Sequence, residues 1–217
     1  MENIVLRLEI ASNVIGSPYV SGGDVRVLQY VNGLNAFFEY EDILLDEGVS
    51  VFLSDNTVKS NESLDERILE CVPDWVELIT FDSNVYGSVN KGAGSIEQLR
   101  YCESYIRAYD WFVHYEPRML LQNFDFFASF FDNPRALFTM GGDANAPLHF
   151  YTGAYTINVV DLCNYIHCVD LDEWLSGNIG IEYSLYNYIT SHKIEHDILE
   201  RVNAIWLDTF ANVEILV

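Results

Sequence analysis

Apolar residues in the first half of the chain change repeatedly between two spacings. Short β-branched and aromatic runs at 4–10, 49–53, 76–81 and 111–115 predict strands. Between them, residues 24–45, 63–71 and 95–108 carry apolar side chains at helical spacing. Asp24 is the expected N-cap of the first helix, and Ser63 with Glu66 forms a capping box for the second. Strands joined by helix-length connections predict a parallel sheet with right-handed crossovers.

The second half of the chain has a less regular pattern. Helices are predicted at 123–132, 160–169 and 181–190, and strands at 136–140, at 150–159 with a break at Gly153, and at 213–217, with residues 197–208 mixed. Loops are expected at 12–23 and 141–147. No repeat, low-complexity tract or linker interrupts the chain, so we expect one α/β domain over residues 1–217, with a mostly parallel central sheet flanked by helices.

The charge balance narrows the classes of partner. The chain has 11 Lys and Arg against 33 Asp and Glu, a formal net charge of −22. Too few cations are present for the basic stripe that nucleic-acid binding needs, and an anionic membrane surface would repel the chain. An anionic ligand therefore needs a local device, which can be a metal ion, a helix N-terminus, or one or two placed Lys or Arg residues.

The cysteines and the chain start bear on the compartment. The four cysteines form no CxxC pair, which favours reduced thiols in a reducing compartment. Residues 1–10 lack the basic and apolar regions of a signal peptide, and no run of 18 uncharged apolar residues could span a membrane. We therefore expect a cytoplasmic protein.

Polar clusters follow three of the predicted strands, where open α/β sheets bind ligands. Asp55 and Asn56 follow the second strand, and the Asp55 carboxylate could accept hydrogen bonds from a ribose or a base, although such residues also form ordinary turns. Residues 84–94 combine three glycines with Lys91 before a helix, which suits a phosphate but also suits an ordinary long loop. The segment matches neither the P-loop pattern nor GxGxxG.

The fourth strand ends in charged residues. Glu116 could bind Mn²⁺ or Mg²⁺, which prefer oxygen ligands, and His114 lies two residues before it. Arg118 could bind a phosphate through two parallel hydrogen bonds. The alternative is a simple ion pair between Glu116 and Arg118 at the end of the sheet.

Two further clusters lie in the second half. His149, Thr152 and Gly153 belong to an aromatic, hydroxyl-rich segment that suits a sugar or acceptor pocket, or else a core strand. Glu182 lies in the first turn of a predicted helix, where the helix dipole favours a carboxylate, and it could also act as a general base. The acidic pair Asp170 and Asp172 lies between helices and is expected to cap one.

Taken together, the segments 54–57, 84–94, 109–118, 150–155 and 181–186 resemble the glycosyltransferases of the GT-A type, including those that build viral capsid glycans. The resemblance implies a Rossmann-like GT-A fold with a nucleotide-binding half at about 1–118 and an acceptor half at about 119–217. One departure is clear, because His114-Tyr115-Glu116 replaces the family's DxD motif. A single carboxylate would hold a metal more weakly, and Lys91 or Arg118 could supply part of the charge.

The resemblance also implies an activity and a set of site residues. The expected reaction moves a sugar from a nucleoside-diphosphate sugar, with UDP as the expected nucleotide, to a glycan acceptor hydroxyl with Mn²⁺ or Mg²⁺. Glu182 and His149 are the expected catalytic residues, and His114 and Glu116 the expected metal ligands. The expected donor-binding residues are Ser12, Asp55, Asn56, Asn84, Lys91, Gly92, Arg118, Thr152 and Gly153. A non-catalytic carbohydrate- or protein-binding module and a nucleotidyltransferase remain alternatives, and the chain could be one domain of a larger protein.

Overall fold

A computed structural model describes residues 2–13, 23–141, 147–208 and 213–216. The described residues form ten strands: β1 (Ile4–Ile10), β2 (Ser50–Asp55), β3 (Glu77–Thr80), β4 (Trp111–Tyr115), β5 (Met119–Leu121), β6 (Leu137–Gly141), β7 (His149–Asn158), β8 (Asp197–Leu199), β9 (Ala204–Asp208) and β10 (Val213–Leu216). The helices are α1 (Asp24–Phe38), α2 (Glu41–Asp46), α3 (Glu66–Leu69), α4 (Lys91–Ile106), α5 (Asp125–Asp132), α6 (Val159–Cys168), α7 (Leu171–Gly177) and α8 (Ile181–Ser191).

Seven strands form the main sheet, in the order β3-β2-β1-β4-β7-β6-β8. The four strands of the first half pair in parallel, whereas β7 runs antiparallel to both β4 and β6. A smaller sheet holds β10, β9 and β5. The predicted α/β class, with a mostly parallel central sheet flanked by helices, is confirmed.

The central strands are buried on both faces, as parallel strands covered by helices must be. Leu6 and Leu8 of β1 pack into the core on the side of α1 and α5, and Val5 packs into the core on the side of α4, α6 and α8. Arg7 lies in the same buried strand with no solvent exposure. A buried guanidinium must be paired and hydrogen-bonded, which makes Arg7 informative about the site.

Several element boundaries differ from the sequence expectation. The predicted helix 24–45 is broken into α1 and α2, and the capping box at Ser63 is wrong because Asp65 caps α3 by accepting from the Arg67 backbone N–H. Helix α4 begins at Lys91, four residues before its predicted start, because the Asn90 side chain caps it. Strand β7 runs through Gly153 without a break, whereas β5, β8 and β9 were not predicted as separate strands.

Three smaller expectations also have outcomes. Asp170 caps α7 by accepting from the backbone N–H groups of Asp172 and Glu173, as the sequence predicted. The predicted loops at 12–23 and 141–147 lie largely outside the described residues. Within the described ranges, no helix has the length and apolar character needed to cross a membrane.

Candidate active site

Two adjoining cavities open at the carboxyl ends of β1 and β4. The space between protein atoms, including open solvent at the mouth, is about 480 Å³ in the first and about 600 Å³ in the second. Both are lined by Glu9, Lys91, Ser95 and Glu116, so they form one continuous cleft. The carboxyl edge of a parallel sheet is where open α/β folds bind ligands. A wider, more open hollow beside the edge strand β3, about 1280 Å³ with its open solvent included, shares no lining residue with the cleft.

The cleft collects side chains from distant parts of the chain. The first cavity adds Ile10, Ala11, Arg26, Tyr30, Asn56, Asn84, Gly87 and Gly94. The second adds Gly92, His114, Thr152, Tyr155, Ile181 and Glu182. The cleft therefore brings together eight of the residues that the sequence singled out: Asn56, Asn84, Lys91, Gly92, His114, Glu116, Thr152 and Glu182.

A buried polar network supports the floor of the first cavity. The Arg7 Nε donates to Ser54 Oγ at 2.9 Å, and its Nη2 donates to Gln98 Oε1. The Gln98 amide then donates to Asn56 Oδ1 at 3.1 Å, and the Asn56 amide donates to Asn84 Oδ1 at 3.2 Å. Because each amide is used on both sides, the network fixes the orientation of Asn56 under the cleft.

Glu9 lies where the two cavities meet. Its carboxylate accepts from Ser95 Oγ at 2.7 Å and pairs with Arg7 Nη1 at 3.0 Å, while the side chain keeps 20% exposure. His114 Nε2 lies 3.7 Å from the same carboxylate oxygen. The Arg7 charge thus compensates Glu9, which remains able to accept hydrogen bonds from a ligand in the cleft.

Glycines let two helix N-termini meet beside the cleft. A Cβ on Gly92 would lie 2.9 Å from the Ile181 backbone nitrogen, and a Cβ on Gly94 would lie 2.6 Å from the Gly87 Cα. The Asn90 amide also donates to the Ile179 carbonyl at 2.9 Å, just before α8. These glycines are therefore required for contact between protein segments, whatever ligand binds next to them.

Glu116 is surrounded by cations. Arg118 donates to it through Nε at 2.6 Å and through Nη2 as well, and the Glu116 backbone N–H donates to the Gly153 carbonyl at 2.7 Å. Burial raises the pKa of the Glu116 carboxyl, but the charges of Arg118 and Lys91 outweigh burial and hold that pKa at about 2. Glu116 is therefore ionised and already paired at neutral pH.

His114 is buried in the wall of the second cavity. Burial lowers its pKa to about 4 against the opposing charge of Glu9, so the imidazole is neutral at pH 7. Its ring stacks on Tyr155 with 4.8 Å between the centroids. Its Nδ1 has no hydrogen-bond partner in the part of the chain that the structure describes.

Asp55 and Ser12 lie together outside the cleft lining. The Asp55 side chain has no solvent exposure, and its oxygens accept from the backbone N–H and the hydroxyl of both Ser12 and Thr57 at 2.5–2.9 Å. Both oxygens are thus occupied in tying the segment after β1 to the segment after β2. The expected contact between Asp55 and a nucleotide stays a prediction, and this geometry leaves no free acceptor for it.

His149 also lies outside the cleft lining. Its Nδ1 lies 3.1 Å from the Pro147 carbonyl and its ring lies 4.9 Å from the Tyr183 ring, next to Glu182. Arg118 stands behind Glu116, and Gly153 contributes its carbonyl to position Glu116. The roles assigned to these residues remain predictions.

Sequence reasoning missed two charged residues in the cleft, Glu9 and Arg26. The signal for Glu9 was present, since Arg7 and Glu9 share one face of a strand whose other residues are apolar. The signal for Arg26 was weaker, because an Arg in the first turn of an amphipathic helix is ordinarily solvated. Only the packing of α1 on the sheet reveals that Arg26 is buried.

The cleft residues fit a divalent metal poorly. In the described ranges, no three His, Cys, Asp or Glu side chains are arranged to hold a metal ion. Glu116 is engaged by Arg118, and Glu9 is engaged by Arg7 and Ser95. A Mn²⁺ or Mg²⁺ ion needs several oxygen ligands that are free to coordinate it. The expected metal stays a prediction, and these donors do not favour it.

Comparison with known proteins gives a match in structure but none in sequence. No protein-family model and no curated protein matches the chain. A Desulfovibrio desulfuricans G20 structure, described as a candidate nucleotide-diphospho-sugar transferase, aligns with 92% of this chain and 80% of its own at a TM-score of 0.56 and 10% identity.

Two further structures align less well. A glycosyltransferase involved in glycosylation of the major capsid of PBCV-1 aligns with 91% of this chain and 81% of its own, at a TM-score of 0.47 and 6% identity. HddC from Yersinia pseudotuberculosis, complexed with GMP-PN, aligns with 92% and 91% at a TM-score of 0.47 and 14% identity. The assignment of the fold therefore relies on the Desulfovibrio structure, which has the highest TM-score of the three. The chain has the fold of nucleotide-diphospho-sugar transferases.

Proposed function

We propose that this protein is a glycosyltransferase that moves a sugar from a nucleoside-diphosphate sugar, a UDP sugar in the first instance, to a hydroxyl of a glycan acceptor. The observation that carries the proposal is a cluster of cations in a chain of net charge −22. Arg26 and Lys91 line the cleft at the start of α4, and Arg118 stands directly behind it. Such a local concentration of positive charge suits a phosphorylated ligand.

The layout of the cleft supports one orientation of the donor. Asn84 lines the first cavity and offers an amide NH₂ group, which suits the base or ribose of a nucleotide. Asn56 orients it, since the Asn56 amide is itself bonded to Gln98, Asn84 and Gly94. Lys91 lies in the part shared by both cavities, which suits the diphosphate. Thr152 and Glu182 lie in the second cavity, which suits the sugar and the acceptor hydroxyl. The sugar would thus lie between the diphosphate and Glu182.

The proposed chemistry assigns one task to each end of the cleft. The bond between the anomeric carbon and the diphosphate oxygen breaks, and the electron pair leaves with the nucleoside diphosphate. Arg26 and Lys91 stabilise that developing negative charge. Glu182 accepts the proton of the acceptor hydroxyl as its oxygen forms the new bond to the anomeric carbon. This assignment implies inversion at the anomeric carbon.

Other residues receive supporting tasks in the proposal. Asp55 orders the segments that follow β1 and β2, since its oxygens are bound to Ser12 and Thr57. Glu116 holds Arg118 in place, and Gly153 positions Glu116. His149 packs against the Tyr183 ring and helps to set the start of α8 beside the second cavity.

The test incubates the protein with a panel of nucleotide sugars, with and without glycan acceptors, and measures turnover as the release of nucleoside diphosphate. Glu182→Gln should lower the turnover by roughly 10²- to 10⁴-fold while donor affinity is retained, because only proton transfer is lost. Glu173→Gln is a matched control, since Glu173 also lies in the first turn of a helix but is exposed outside the cleft.

Other outcomes would contradict the proposal. Nucleotide binding without release of nucleoside diphosphate from any nucleotide sugar would indicate a non-catalytic binding module. Consumption of a nucleoside triphosphate together with a sugar phosphate would indicate a nucleotidyltransferase.

A further inference from the structure

Arg26 is a buried cation that lines the first cavity and keeps one unused hydrogen-bond donor. The residue is only 2% exposed, its Nε donates to the Ala11 carbonyl at 2.6 Å, and its Nη2 donates to Tyr30 Oη at 3.2 Å. Its Nη1 has no hydrogen-bond partner among the residues that the structure describes. A buried charged donor left unpaired is costly, so a ligand acceptor at Nη1 would relieve that cost.

The Tyr30 ring fixes the direction of this guanidinium. The Arg26 Cζ lies 5.5 Å from the centroid of the ring, and both residues line the first cavity. The donors are thus held in place before a ligand arrives. A preorganised cation loses less side-chain entropy on binding than a flexible surface residue does.

Lys91 is a second cation aimed at the same space. It is the first residue of α4, it lines both cavities, and no hydrogen bond or ion pair holds its ammonium group in the described part of the chain. Desolvation by neighbouring protein atoms and the nearby Arg118 charge lower its pKa, although the residue is exposed to solvent. The N-terminus of α4 adds its own partial positive charge at this point.

Glu116 has the position that the resemblance gives to a metal ligand, but its charge is already compensated. Arg118 donates to one of its oxygens through two nitrogens, one of them at 2.6 Å. A divalent ion bound through the other Glu116 oxygen would lie beside the Arg118 guanidinium, and the two positive charges would repel each other.

We infer that the diphosphate of the donor is bound by Arg26 and Lys91 at the start of α4, and that these two cations replace a divalent metal ion. The inference rests on the proposed function and concerns the same cleft. Two monovalent cations supply the same total charge as one Mn²⁺ or Mg²⁺ ion. Arg26 also supplies planar, directed donors that match phosphate oxygens.

The test is calorimetric binding of UDP, GDP, ADP, CDP and inorganic pyrophosphate to the full chain, in EDTA and with Mn²⁺. Binding in EDTA is expected, with little change on adding Mn²⁺. Arg26→Met and Lys91→Met should each weaken binding by roughly 10- to 100-fold, the usual value of a hydrogen bond to a charged group. Arg26→Lys should restore only part of the affinity, because the charge returns but the directed donors do not.

Arg107→Met is the matched control, since Arg107 is an exposed cation at the other end of α4. It lies about 24 Å from Lys91 along the helix axis. The Arg107→Met substitution removes one positive charge, as Arg26→Met and Lys91→Met do, and should leave nucleotide binding unchanged. Lys91→Met removes an exposed side chain, so it keeps the test valid if Arg26→Met fails to fold.

Two results would overturn the inference, and they differ in what else they affect. Binding that requires Mn²⁺ and survives Arg26→Met and Lys91→Met would overturn it and leave the glycosyltransferase proposal in place. No binding of any of these nucleotides, with or without Mn²⁺, would overturn both.

Discussion

Asp55→Asn tests whether Asp55 is a structural residue or contacts a nucleotide. The side chain is fully buried, and its oxygens accept four hydrogen bonds, from Ser12 N and Oγ and from Thr57 N and Oγ1. In the variant, an amide NH₂ replaces one oxygen. If the NH₂ takes the Oδ2 position, the Ser12 backbone N–H meets a donor instead of an acceptor.

The size of the effect follows from those contacts. An unpaired buried N–H costs about 1–3 kcal/mol, and the remaining hydrogen bonds lose the strengthening that the charged acceptor gave them. We therefore expect Asp55→Asn to lower the free energy of unfolding by about 2–5 kcal/mol. For a chain of this size, that corresponds to a fall in Tm of roughly 4–20 °C.

The assay is urea unfolding followed by tryptophan fluorescence, together with UDP binding to the folded variant. Asp82→Asn is the matched control, because Asp82 is exposed and no hydrogen bond holds its side chain in the described residues. It should change stability by less than about 0.5 kcal/mol. Unchanged stability of Asp55→Asn, combined with a tenfold loss of UDP affinity, would refute the structural role and restore the sequence prediction.

Three further predictions concern packing, pH and the buried network. Gly94→Ala should lower the free energy of unfolding by about 1–3 kcal/mol, because the new Cβ would lie 2.6 Å from the Gly87 Cα. In the control Gly177→Ala the Cβ meets only a flexible side chain at 3.3 Å, so stability should change by less than about 1 kcal/mol. Equal melting temperatures for the two variants would contradict this prediction. The pKa of His114 is about 4 when folded and about 6.5 when unfolded, so stability should fall as pH drops from about 6.5 to 4, by up to about 3 kcal/mol. In urea unfolding, the stability of His114→Phe should no longer fall with pH in this range through the His114 contribution. The same dependence of stability on pH in the variant and the wild type would contradict this prediction. Arg7→Met should destabilise by about 3–5 kcal/mol in thermal unfolding because it strands buried polar partners, and a fully stable variant would argue against a paired network.

Local patterns predicted the central strands and the edge of the sheet that carries the site. Residues 111–115 were predicted as a strand and form β4 with the same bounds. The polar residues after each strand converge because the carboxyl ends of parallel strands meet at one edge. Short-range hydrophobic spacing is sufficient for these two results.

The pairing of side chains over long distances could not be predicted in the same way. Asp55 pairs with Ser12, 43 residues away, and Arg7 pairs with Gln98, 91 residues away. The early start of α4 depends on the Asn90 cap and on the fit of Gly92 against Ile181. Each of these contacts depends on how distant elements dock, which the spacing of apolar residues does not specify.

Thermal unfolding in EDTA, with nucleoside, nucleoside monophosphate and nucleoside diphosphate of each base, tests most directly whether the cleft binds a nucleotide through its diphosphate. At 100 times Kd, a ligand of the folded state adds about 2.7 kcal/mol, which raises Tm by roughly 5–10 °C. We expect a rise in Tm for the diphosphate of one base, a smaller rise for its monophosphate and none for the nucleoside. Equal Tm values for all ligands, with no rise above the free protein, would contradict binding through the diphosphate.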